Sequence, residues 1–147
     1  MDVDKLGKVA GVANSATQKS ALEFKATQQA HREKCDQLEQ LQQFKREYEA
    51  QLQSIGVQGM AARQLQDYRL FLGKLNQAID EQTRDIHSAQ QRLGDAREDW
   101  IARTRRSSAL DQAMDHELLR QRQSRDKAEQ READEKSMAR SSGNYES

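Results

Sequence analysis

The sequence has no proline, so it lacks the residue that most strongly kinks or ends a helix. It has one cysteine, Cys35, which excludes an internal disulfide and is typical of a reducing compartment. Its 24 basic residues are balanced by 24 acidic ones, which argues against a general nucleic-acid binder. No apolar run approaches the roughly 18 residues of a bilayer span. Residues 1–16 carry acids and no apolar block, so we expect no secretory signal and a cytoplasmic location.

Hydrophobic residues are also scarce. They make up 35% of the 147 residues, and aromatic residues make up 5%, whereas globular domains are roughly 45–50% apolar. The chain is instead rich in residues that favour helices, and charged residues reach 33%. This composition predicts an all-α protein whose long helices bury one narrow seam.

The clearest interruption is the pair Gly56 and Gly59, which is typical of a helix end and a turn. We therefore predict a single coiled-coil domain over residues 1–147. Its parts are helix one at about 3–55, a turn at about 56–60, helix two at about 61–138 and a frayed tail at 139–147.

Apolar residues recur at alternating steps of three and four, the heptad pattern of a coiled coil. Helix two carries Leu65, Tyr68, Leu72, Leu75, Ile79, Gln82, Ile86, Ala89, Leu93, Ala96, Trp100, Arg103, Ser107, Leu110 and Met114 at these positions. Helix one has a weaker seam of Phe24, His31, Leu38, Leu41, Lys45, Tyr48, Leu52 and Ile55.

The short turn predicts that helix one folds back on helix two as an antiparallel hairpin, which would be a monomer in isolation. Leu41 then faces Leu75, Leu38 lies near Ile79, and Phe24 reaches Leu93. Helix two should continue beyond about residue 113 as a solvated single helix, with a partner-binding segment as the alternative. The alternative, a dimer of continuous helices, would bury both turn glycines within a helix.

No catalytic pattern is present in the sequence. It contains neither a phosphate-binding loop nor a nucleophile elbow, so we expect no enzymatic activity and no cofactor. His31, Cys35 and His87 would converge only in a favourable register, so packing is a better interpretation than a metal site.

A second stripe runs beside the seam on both helices. It consists of Gln37, Leu41, Phe44 and Tyr48 on helix one and Phe71, Leu75, Ala78 and Gln82 on helix two. Antiparallel pairing brings Gln37 to Ala78, Leu41 to Leu75, and both Phe44 and Tyr48 to Phe71. A two-helix seam cannot bury all these large side chains, so we expect an exposed partner surface. The alternative, that they only thicken the seam, remains open.

Several segments together resemble the FliJ family, small coiled-coil proteins of the bacterial flagellar type III export apparatus. They are Gln37-Leu38, FKREY at 44–48, the turn glycines, YRLFLGKLNQAIDE at 68–81 and the lone Trp100. The likeness is strongest over residues 33–106.

The resemblance implies a non-enzymatic, stalk-like coiled coil. Its paired termini would sit in the central hole of the export ATPase hexamer, FliI. It would also bind export chaperones and the export gate protein FlhA, through the eight residues of the second stripe. It would thus act at the cytoplasmic face of the inner membrane, held there peripherally by its partners. The alternatives are the equivalent stalk of a virulence secretion system and a generic homodimeric scaffold.

Overall fold

A computed structural model describes residues 2–56 and 59–144. Two helices account for nearly all of them: α1 spans Val3–Ile55 and α2 spans Ala62–Asn144. They pack against each other as an antiparallel hairpin, so the predicted all-α fold class is confirmed. Val57 and Gln58, in the middle of the predicted turn, lie outside the described residues.

The helix ends follow from local chemistry. Asp2 caps α1, since its Oδ1 accepts a hydrogen bond from the Asp4 N–H at 3.3 Å. At the other end Gly56 has a φ of 76°, the left-handed conformation that commonly follows a helix and suits glycine. The Gln64 Oε1 accepts from the Ala61 N–H at 3.3 Å, which is one half of a capping box at the start of α2.

The described residues form two compact units. The hairpin unit is Lys19–Ile101 and contains the turn. All its α2 seam positions from Leu65 to Trp100 are buried or half-buried, as the heptad pattern predicts. Ile55 is an exception on α1, since it is 59% exposed at the helix end. The Phe24 ring stacks on Trp100 with ring centroids 5.6 Å apart. Trp100 lies one heptad beyond Leu93, the residue that the predicted antiparallel pairing places near Phe24.

The terminal unit comprises Met1–Gln18 and Ala102–Ser147. Its buried seam combines one large side chain with two small ones: Leu6 is 6% exposed, Ala10 4% and Ser107 6%. The Ser107 hydroxyl donates to the Asn14 side-chain oxygen, and the Thr17 hydroxyl lies 3.1 Å from the Arg103 carbonyl oxygen. Arg103 itself is exposed, although the heptad pattern placed it on the seam.

Helix α2 extends past its last contacts with α1. A Cβ on Gly7 would lie 3.5 Å from the Met114 Cε, so the helices are still in contact at the predicted limit of pairing. All described side chains at 118–143 are exposed, as expected of a solvated helix. Helix α2 continues to Asn144, beyond the predicted end near residue 138. Within the described part of the chain, neither helix has the hydrophobic stretch that a bilayer span requires.

Candidate protein-interaction surface

Four aromatic rings meet across the two helices of the hairpin unit, and we call them the aromatic cluster: Phe44, Tyr48, Tyr68 and Phe71. Tyr48 stacks on Tyr68 with centroids 4.8 Å apart and planes 6° apart. The Tyr48 ring also lies 4.6 Å from Phe71. The Phe44 ring contacts Phe71 edge-to-face, with centroids 5.9 Å apart, and stacks on Tyr48 at 6.5 Å. Stacked and edge-to-face arrangements are both favourable for aromatic pairs.

The cluster has an inner and an outer side. Tyr68 is 8% exposed and belongs to the seam, whereas Phe71 is 37% and Phe44 49% exposed. Tyr48 lies between these extremes. The structure therefore leaves two adjacent phenylalanine rings open to solvent on a support of stacked tyrosines.

A glutamine contact flanks the cluster along the same helices. The Gln82 Nε2 donates to the Lys34 carbonyl oxygen at 2.9 Å and to the Gln37 Oε1 at 3.2 Å. These hydrogen bonds link α1 and α2, and Gln37 precedes Phe44 by about two helical turns on α1. The predicted antiparallel pairing brings Gln37 to Ala78, whereas in the structure Gln37 accepts a hydrogen bond from Gln82.

The eight residues of the predicted stripe occupy different depths. Phe44, Phe71 and Gln37 are exposed, and Tyr48, Leu41, Ala78 and Gln82 are half-buried. Leu75 is only 7% exposed, so it supports the surface from below. The expectation that some of the large side chains must remain exposed agrees with Phe44 and Phe71.

The heptad pattern placed Tyr68 on the seam, and the structure shows that it also supports the aromatic cluster by stacking on Tyr48. The signal for this contact was available, since Tyr68 lies opposite Tyr48 in an antiparallel pairing. Burial raises the pKa of the Tyr68 hydroxyl, and the nearby Glu49 carboxylate and Tyr48 hydroxyl raise it further.

Two of the three residues considered as metal ligands lie side by side on α1. The Cys35 Sγ lies 3.7 Å from the His31 Nε2, but the His87 side chain is exposed. Among the described residues, no group of three or more histidine, cysteine or acidic side chains is arranged to hold a metal ion.

The sequence model of the family described as flagellar FliJ protein matches residues 1–146. This chain belongs to the FliJ family. No curated protein and no solved structure matches it. The match includes both ends of the chain, which lie outside residues 33–106, where the likeness of individual segments is strongest.

Membership of the FliJ family gives the chain a role related to flagellar protein export. FliJ proteins are components of an export apparatus, which favours the flagellar interpretation over a virulence stalk or a generic scaffold.

Proposed function

We propose that this chain is a non-enzymatic stalk of the flagellar export apparatus that links the export ATPase, FliI, to the export gate protein, FlhA. It assists export chaperones and works at the cytoplasmic face of the inner membrane, held there by its partners. Family membership and the two-helix hairpin support this proposal. The ATPase and chaperone contacts rest on the family alone.

The exposed Phe44–Phe71 pair carries the proposal for the gate. Large rings that are already fixed lose little conformational entropy on binding and bury much apolar area. Residues of this kind dominate the binding energy of many interfaces. Gln37 and Gln82 flank the rings with amide groups, which suits the polar rim of such an interface.

Phe44→Ala is the variant that tests the gate contact most directly. Phe44 is 49% exposed, so its removal leaves the seam intact. We expect a loss of about 2 kcal/mol in gate binding, or about 30-fold in Kd. Isothermal titration calorimetry with the cytoplasmic part of the gate protein would measure it, and circular dichroism would verify folding. Swimming should decline in parallel.

Leu70→Ala is the matched control, because Leu70 is on α2, 60% exposed and outside the aromatic cluster. Its gate affinity should stay within about twofold of the unmodified chain. If Phe44→Ala and Phe71→Ala also stay within twofold while fully helical, the aromatic cluster is not the gate-binding surface. The rings would then serve only to thicken the seam.

A further inference from the structure

The terminal unit contains a groove of about 430 Å³ between α1 and α2. Its apolar lining comes from α1: Val9, Val12, Ala13 and Ala16. Val12 is 72% exposed and Val9 39%, although both are aliphatic. The groove is a concave apolar surface that faces solvent.

The groove is a consequence of small side chains. Ala13 and Ala16 lie on the face of α1 that approaches α2, and neither reaches far from the backbone. The valines stand beside them at helical spacing, so the apolar surface follows the axis of α1 over about two turns. A row of this form matches the spacing at which another helix places its anchors.

Positive charge surrounds this surface. Lys8 lines the groove from α1, and Arg103 and Arg106 line it from α2. None of the described residues that line it is acidic or aromatic. The groove therefore presents the Lys8 and Arg106 cations beside aliphatic side chains, and its complement is an apolar ligand with flanking negative charge.

We propose that this groove binds an acidic amphipathic helix of a partner protein. The apolar face of the helix would lie on Val9 and Val12, and its flanking carboxylates would meet Lys8 and Arg106. A helix suits the groove better than a lipid surface does, because the site is concave and its lining includes no aromatic anchor among the described residues. The proposal is independent of gate binding, since the aromatic cluster belongs to the hairpin unit.

The test uses the full chain and a synthetic peptide of about 18 residues, with leucines spaced i, i+3, i+4 and i+7 and glutamates on both flanks. The control peptide has lysines in place of the glutamates. Fluorescence anisotropy should give the acidic peptide a Kd below about 100 μM and at least about tenfold tighter binding than the basic peptide. Added salt should weaken binding of the acidic peptide.

Three variants locate the binding site. Val12→Glu and Arg106→Glu should each raise the Kd of the acidic peptide by about tenfold or more. Arg105→Glu is the matched control, since Arg105 is an exposed neighbour outside the groove lining. It should change the Kd by no more than about twofold. Circular dichroism should show equal helicity in all three, because each site is an exposed helical position.

Several results would overturn the proposal. One is that the acidic peptide fails to bind, or binds no better than the basic one. Equal effects of Arg105→Glu and Arg106→Glu would show general charge attraction. If the chain does not bind the peptide but sediments with phosphatidylglycerol vesicles, and Val12→Glu abolishes that sedimentation, the groove binds a membrane surface instead. A concentration-dependent dimer that Val12→Glu abolishes in light scattering would assign it to a second copy of the chain.

Discussion

Leu75→Ala should destabilise the hairpin unit, because this leucine is 7% exposed in the seam. Truncating a buried leucine to alanine typically costs 2–5 kcal/mol, through lost burial and the cavity left behind. Only two helices enclose Leu75, so neighbouring side chains and water can reach the vacated space. We therefore expect the low end of that range, about 2 kcal/mol.

Leu70→Ala is the matched control for this change. It makes the same substitution on the same helix, but Leu70 is 60% exposed. The difference in helix propensity between leucine and alanine thus cancels in the comparison. Leu70→Ala should alter the free energy of unfolding by no more than about 0.5 kcal/mol.

Urea unfolding followed by far-UV circular dichroism would compare the two variants. With a slope of about 1–2 kcal/mol/M, the midpoint of Leu75→Ala should fall roughly 1–2 M below that of Leu70→Ala. Equal midpoints would refute the assignment of Leu75 to the packed seam. While folded, Leu75→Ala should keep its gate affinity within about threefold. A loss as large as that of Phe44→Ala would instead make Leu75 a direct contact.

Two further predictions concern glycine and tyrosine. Gly73→Ala should stabilise the chain by about 1 kcal/mol, because among the described residues a Cβ there would meet nothing within 4 Å other than the adjacent backbone of its own helix. Gly56→Ala should destabilise the chain by about 1 kcal/mol, because φ is 76° there. Similar urea midpoints for the two variants would contradict this contrast. The pKa of the Tyr68 hydroxyl is higher in the folded chain than in the unfolded chain, so the unfolded chain loses this proton at lower pH. The free energy of unfolding should therefore fall as pH rises above about 10. In Tyr68→Phe, which has no hydroxyl to titrate, it should fall less steeply. If the urea midpoint of Tyr68→Phe falls with pH as steeply as that of the unmodified chain, Tyr68 is not the source of the pH dependence.

The sequence was most informative where one physical rule decides the outcome. A two-helix seam recurs every 3.5 residues, so the positions from Leu65 to Trp100 could be assigned from spacing alone. Gly56 identified the end of α1, because only glycine readily adopts the left-handed conformation that begins this turn. The exposed rings followed from a volume argument, since the seam has no room for Phe44 and Phe71 together with its own residues.

The rest depends on details that spacing does not encode. The seam of the terminal unit uses Ala10, whose small side chain gives little hydrophobic signal. The groove of the terminal unit is lined by Ala13 and Ala16, whose small side chains leave it unfilled, and a sequence pattern does not reveal such a space. Ile55 is apolar and in register, yet it is exposed because α1 ends there. The Phe24–Trp100 stack depends on how far the register drifts along the hairpin, and composition does not determine that drift.

The aromatic cluster connects folding to binding in a definite order. Tyr68 is fixed by burial in the seam, Tyr48 stacks on it, Phe71 packs against Tyr48, and Phe44 lies outermost. Each ring limits the freedom of the next, so Phe44 is presented to a partner with much of its conformational entropy already lost. Truncation should therefore affect stability most at Tyr68 and binding most at Phe44. A surface built in this way is selective because its shape is set by the same seam that holds the helices together.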